Sequence, residues 1–274
     1  MRTLTIAALA IGLALLLVVV LVRLLENRLI YFPPRYPAGF LLHGDPPFGV
    51  EEVWLNTADH VRINAFYLAN PSSRKVLLWF HGNAENIGYG LPHLRLLSQA
   101  GVSVLAVDYR GYGKSEGTPD EAGVYRDADS AYAYLVNDRQ FHPEDVIIYG
   151  RSLGGAVAID LASRRPCGGL IVQSSFTSAR AMARRMFGIP WFEYLPKTRF
   201  DSLRKIADVK APVLVVHGTR DEVVPFAMGE MLFRAALEPK RFYPIEGAGH
   251  NDVAEVGGVN YLAALTAFVS SSGK

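Results

Sequence analysis

Gly150-Arg151-Ser152-Leu153-Gly154 follows an apolar, β-branched run, Asp145-Val146-Ile147-Ile148-Tyr149, and precedes a run of small residues, Gly155-Ala156-Val157-Ala158-Ile159. That order predicts a strand, a sharp turn and a helix. A serine flanked by glycine two residues before and two after fits a turn so tight that strand and helix almost touch. Bulky side chains have no room at the glycine positions, and the serine is pushed into a strained backbone that projects Oγ above the sheet. The pentapeptide alone matches many Gly-rich turns, so its meaning depends on what surrounds it.

The surroundings are those of a globular α/β protein. The chain has 274 residues, 50% hydrophobic and 20% charged, with a net charge of +2. Basic and acidic residues are interleaved, which excludes an extended nucleic-acid surface. The local group Arg180, Arg184 and Arg185 reads as a solvated helix face. A single cysteine, Cys167, rules out an intramolecular disulfide and reads as a buried or half-buried thiol.

Short apolar strands alternate with helices along the chain. Strands are predicted over Val50 to Leu55, Val61 to Leu68, Val76 to Phe80, Val102 to Val107, Val146 to Tyr149, Leu170 to Gln173, Val213 to Val216 and Arg241 to Ile245. Helices are predicted over Leu91 to Gln99, Ala122 to Val136 and Gly155 to Arg164. Apolar strands separated by helices imply a mostly parallel eight-stranded sheet covered on both faces. The segment from Phe176 to Ile206 breaks this rhythm. It holds Met182, Met186, Phe187, Ile189, Trp191, Phe192, Tyr194 and Leu195, interrupted by Pro190 and Pro196. It reads either as a small cap that walls a substrate site or as an ordinary covering helix with a loop.

Residues Leu4 to Val22 are almost unbroken apolar sequence without a charge. About 20 such residues suffice to cross a bilayer as a helix, and no small-residue cleavage site follows. The expectation is a single-pass amino-terminal membrane anchor over 1–27, a connector over 28–49 and a catalytic domain over 50–274. Arg23, Arg28 and Arg35, offset by Glu26, outnumber Arg2 on the amino side. The positive-inside bias therefore favours a cytoplasmic domain. Tyr31, Phe32 and Tyr36 suit either the membrane interface or packing against the domain.

A serine hydroxyl needs a base to take its proton and a third group to orient that base. The acid candidate is Asp221, in the loop after the strand Pro212-Val213-Leu214-Val215-Val216, where a parallel sheet places its chemistry. Glu222 is the fallback. The base candidate is His250, in the glycine-rich turn Gly247-Ala248-Gly249-His250 after the last strand. His217, His81 and the other histidines read as structural or surface residues. Two backbone N–H groups are needed to hold a developing oxyanion. Leu153 supplies one; Asn83 in His81-Gly82-Asn83-Ala84, or alternatively Ala84, supplies the other. Asp108-Tyr109-Arg110-Gly111-Tyr112-Gly113-Lys114-Ser115 reads as tight turns held by local hydrogen bonds of Asp108 and Arg110.

In order and context, His81-Gly82-Asn83-Ala84, Asp108 to Ser115, Gly150 to Gly155, His217-Gly218-Thr219-Arg220-Asp221 and Gly249-His250-Asn251 resemble the α/β-hydrolase superfamily. The amino-terminal anchor, Tyr31-Phe32-Pro33 and Ser174-Ser175-Phe176-Thr177-Ser178 look like the membrane-tethered α/β-hydrolase-domain proteins, and serine aminopeptidase-like hydrolases share the same motifs. The chain lacks the cysteine-rich amino terminus found in some depalmitoylases of that group. The resemblance implies a serine hydrolase acting on carboxylic esters or thioesters of acyl or lipid-like substrates, without metal or organic cofactor. Alternatives are a peptidase of the aminopeptidase type, with Glu193 as the cap carboxylate for a substrate amine, and a non-catalytic ligand-binding protein on the same fold. Oligomeric state is left open.

Overall fold

The structure is a computed structural model that describes residues 2–36, 49–188 and 196–273. Part of the predicted connector, and Ile189, Pro190, Trp191, Phe192, Glu193, Tyr194 and Leu195 of the predicted cap, lie outside the described residues.

The sheet has eight strands: β1 (Val50–Asn56), β2 (Arg62–Leu68), β3 (Val76–Phe80), β4 (Ser103–Val107), β5 (Val146–Arg151), β6 (Gly169–Gln173), β7 (Val213–Gly218) and β8 (Lys240–Ile245), in the order β1-β2-β4-β3-β5-β6-β7-β8. β2 runs antiparallel to β1 and β4, and the other pairs are parallel. β3, β4 and β6 are buried along their whole length, while edge strand β1 alternates buried and exposed positions. That contrast explains why the central strands read as continuous apolar runs.

Side chains of one strand alternate between two cores. Val76, Leu78 and Phe80 face one with α3 (Glu121–Ala133), α4 (Leu153–Arg164), α6 (Ser202–Ile206) and α7 (Phe226–Ala235). Leu77 and Trp79 face the other with α2 (Leu91–Ser98) and α8 (Val253–Ser271). Asp120 caps α3 by accepting the Gly123 N–H, and a π-helical turn over Tyr134–Asp138 continues it. α7 and α8 have no counterpart in the sequence reading. α8 is broken by Gly258, whose φ of 50° and ψ of −135° interrupt the helix. By length and composition α8 could cross a membrane, but its Tyr261, Leu265, Phe268 and Val269 are buried against the sheet, the role of a domain helix.

The amino-terminal run is a helix, α1 (Arg2–Ile30). Its Ile6, Leu9, Leu13, Leu16, Leu17 and Leu21 are exposed. Its carboxyl end belongs to the domain. Glu26 is buried and accepts from the Lys197 N–H at 2.7 Å and the Thr198 hydroxyl at 3.1 Å. Tyr31 is buried edge-on against Phe200. Pro34 and Arg35 bond to the loop after β4, through Gly113 N to Pro34 O and Arg35 Nη1 to Ser115 O, and the Tyr36 hydroxyl reaches Asp108 at 3.2 Å. Tyr31 and Tyr36 thus pack on the domain, while Phe32 stays exposed.

Candidate active site

β5 ends in Arg151, Ser152 turns the chain, and α4 begins at Leu153. The glycines do what sterics require. A Cβ on Gly150 would lie 2.1 Å from the Gly154 carbonyl oxygen, and one on Gly154 would lie 2.1 Å from the Phe80 carbonyl oxygen. Ser152 has φ 53° and ψ −116°, a sparsely populated conformation that costs of order 1–3 kcal/mol. Surrounding bonds hold it there: Ser152 N–H donates to Gln173 O at 2.9 Å, and the Ser175 hydroxyl donates to Ser152 O at 2.8 Å.

Asp221 and His250 come to Ser152 from the ends of β7 and β8. Ser152 Oγ lies 3.1 Å from His250 Nε2, and His250 Nδ1 lies 2.8 Å from Asp221 Oδ2. If the hydroxyl donates to Nε2, the imidazole proton sits on Nδ1 and is donated to the carboxylate. Asp221, not the neighbouring Glu222, is the carboxylate on the ring; Glu222 accepts instead from the His250 backbone N–H at 3.3 Å. Asp221 Oδ1 accepts the N–H groups of Val223 at 2.9 Å and Val224 at 2.7 Å. Burial works to raise its pKa, but hydrogen bonds from His217 and His250, the His250 charge and the Val224 N–H outweigh it, holding the carboxyl well below the usual range.

His217, expected from the sequence to be a structural or surface residue, lies against Asp221. Fully buried at the end of β7, its Nε2 stands 3.2 Å from Asp221 Oδ2 and 3.0 Å from Val224 O. An Nε2–H between these oxygens makes His217 a second brace on Asp221. Gly229 of α7 makes room for it, because a Cβ there would lie 2.4 Å from His217 Nδ1. A histidine four residues before the acid and a glycine inside the next helix were the available signals.

The two candidate oxyanion residues, Asn83 and Leu153, line one cavity with Ser152. Leu153 opens α4, where the first N–H groups have no partner inside the helix and the helix dipole is positive. The Asn83 side chain is committed elsewhere. It donates to Ile30 O at 2.6 Å, and its Oδ1 accepts from Phe32 N–H at 3.0 Å and the Tyr112 hydroxyl at 2.7 Å. It thereby ties the turn after β3 to the end of α1. The loop from Asp108 to Ser115 is held by hydrogen bonds of Asp108 and Arg110, but these reach distant segments rather than staying local: Asp108 accepts the Ile87 N–H at 2.9 Å, and the Arg110 guanidinium bridges Asp127 and Asp59. Cys167 is half-buried at the far end of the sheet, and burial pushes its thiol pKa up to about 12.

The cavity beside Ser152 measures about 290 Å³. Its walls are mostly apolar, with Phe176, Phe200 and Val224 deep and Met182 and Ala183 from α5 (Ala179–Phe187) to one side.

This chain is 36% identical over 257 residues to an uncharacterized protein of Mycobacterium tuberculosis, covering 90% of this chain and 88% of that one. It is 37% identical over 210 residues to alpha/beta hydrolase domain-containing protein 17B of Homo sapiens, covering 75% of this chain and 69% of that protein. The chain belongs to the α/β-hydrolase superfamily. A family model described as serine aminopeptidase, S33, matches residues 71–200 of this α/β-hydrolase. In fold it is similar to the Pyrococcus furiosus esterase Pf2001, with a TM-score of 0.72 at 20% identity over 88% of this chain and 97% of the esterase.

Proposed function

We propose that this α/β-hydrolase is a serine hydrolase that cleaves carboxylic esters or thioesters of acyl or lipid-like substrates from a membrane-anchored position. The observation that carries the reading is the chain of hydrogen bonds from Asp221 through His250 to Ser152 at the edge of an apolar cavity. Ser152 Oγ attacks the substrate carbonyl carbon while its proton passes to His250 Nε2. The Leu153 and Asn83 backbone N–H groups receive the negative charge on the carbonyl oxygen. Collapse of that intermediate breaks the bond to the leaving alkoxide or thiolate, which takes the proton from His250. Water then attacks the acyl-enzyme, giving its proton to His250. The Ser152–acyl bond breaks, Oγ recovers a proton, and the carboxylic acid leaves. Asp221 holds the imidazole tautomer and stabilises the imidazolium; no step calls on a metal or an organic cofactor.

The anchor is α1. Its apolar run is long enough to cross the hydrocarbon core, and large side chains such as Leu9, Leu13 and Leu16 are exposed. The excess of arginines after the run over those before it supports a cytoplasmic position for the domain.

The family model's description favours a second reading, an aminopeptidase. A substrate amine would need a carboxylate near Ser152. Glu193 lies outside the described residues, and Glu26, which lines the cavity, already accepts from Lys197 and Thr198. A panel of acyl esters and thioesters set against aminoacyl amides separates the readings. The ester reading expects turnover of the acyl panel and none of the amides; turnover of the amides alone would overturn it.

A further inference from the structure

The apolar cavity beside Ser152 is not built by the catalytic domain alone. Val22, Leu29 and Ile30 of α1 form one of its walls, facing Met182 and Met186 of α5. Val22, Glu26 and Leu29 are spaced four and three residues apart, so they lie on one face of the helix. Val22 is also the last residue of the apolar run that begins at Leu4. The same side chain therefore ends the hydrocarbon-crossing stretch and lines the cavity. One turn towards the amino terminus, Val18 continues that stripe and is exposed. The mouth is apolar on both sides: Leu29 is 53% exposed and Met186 is 70% exposed. Farther round α5, Arg184 and Arg185 are exposed, as expected where a helix lies at a membrane surface with its basic side towards lipid headgroups. Glu26, the one carboxylate in the α1 wall, has each oxygen occupied by a donor from the segment after α5.

Resting on the serine-hydrolase reading above, we infer that the cavity is a lateral acyl site whose wall is the anchor helix itself. Its occupant is the long acyl chain of an ester lipid held in the bilayer. The chain slides from the hydrocarbon along the Val18–Val22–Leu29 stripe, between α1 and α5, and brings its carbonyl to Ser152 without passing through water. α1 is then a specificity element as well as an anchor. The Asn83 bonds to Ile30 and Phe32 fix that wall to the turn carrying one oxyanion donor.

The test uses the full chain in phosphatidylcholine nanodiscs with two substrates, a palmitoyl glycerol ester held in the bilayer and a water-soluble butyryl ester. The readout is the ratio of kcat/KM for the long ester to that for the short one. Leu29→Trp and, separately, Met186→Trp narrow the mouth. Each is expected to lower the ratio at least about tenfold, the scale of discrimination an apolar pocket supplies. Val259→Trp, on the exposed surface of α8, is expected to leave the ratio unchanged. Met186 is mostly exposed, so its substitution keeps the test valid should Leu29→Trp disturb the α1 junction. A ratio unchanged in both mouth variants, with the short ester still cleaved, overturns the lateral site and leaves the hydrolase reading standing. Failure of wild type to cleave either ester overturns both.

Discussion

Ser152, His250 and Asp221 are useful together because each removes a deficiency of the next. A neutral imidazole accepts the serine proton only if its other proton is fixed, and the 2.8 Å bond to Asp221 fixes it. Asp221→Asn keeps the shape but favours the wrong tautomer, and kcat on a soluble ester is expected to fall about 10⁴-fold. His217→Phe removes one donor from Asp221 without touching Ser152. A loss of about tenfold in kcat with KM little changed is expected, because a misdirected base weakens the chemical step rather than binding. The sign of the pH effect follows from the depressed carboxyl. Its contribution to stability is complete above the unfolded carboxyl value of about 3.9 and is lost as pH falls through the lower folded value. In His217→Phe the folded value rises towards the unfolded one, so the loss is expected to be smaller and to end at higher pH, visible as a thermal transition that weakens less on acidification. Ser152 and its partners were legible because their residue types recur in a fixed order at the ends of predicted strands. His217 was not. Its role depends on where β7 delivers its side chain relative to Asp221 and on the space left at Gly229, and neither leaves a periodic signature.

The central strands could be read because they are short apolar runs closed by glycine or turn residues. α8 could not, because Gly257-Gly258 breaks its apolar pattern before the run Tyr261 to Val269 is long enough to register. The contact between α1 and the domain was also hidden: Asn83 meets Ile30 and Glu26 meets Thr198 across long stretches of chain. Two elements invite tests. Gly154→Val would drive a side chain into the Phe80 carbonyl, so a destabilisation of about 3 kcal/mol or more is expected, read by denaturant unfolding of the purified chain. On α2, the His93 ring packs against Trp79 and Tyr149. Burial and the nearby Arg151 charge push its pKa down to about 4. The folded state therefore resists a proton that the unfolded chain binds at about 6.5, and stability falls as pH drops from there towards 4. His93→Phe is expected to flatten that part of the stability profile.

For the whole molecule the consequence is location. Each methylene moved from an apolar phase into water costs about 0.8 kcal/mol, so under the proposed function an enzyme acting on long acyl chains gains by meeting them where they dissolve. α1 supplies that position if it inserts. Leu13→Lys combined with Leu17→Lys places two charges on exposed positions of the run. Each is expected to oppose insertion by about 3 kcal/mol at the centre of a span, shifting the chain from the membrane pellet to the supernatant after alkaline extraction. A doubly substituted chain that stays in the pellet would argue against α1 as the anchor. The catalytic centre is tested without reference to the membrane or to the natural substrate. The full chain, Ser152→Ala and His250→Ala are each exposed to a reporter-tagged fluorophosphonate, which reacts only with an activated serine. Strong labelling of the wild type, none of Ser152→Ala and a severely slowed reaction in His250→Ala is the predicted result. An unlabelled wild type, or labelling that survives in Ser152→Ala, would contradict the assignment of Ser152 as the nucleophile.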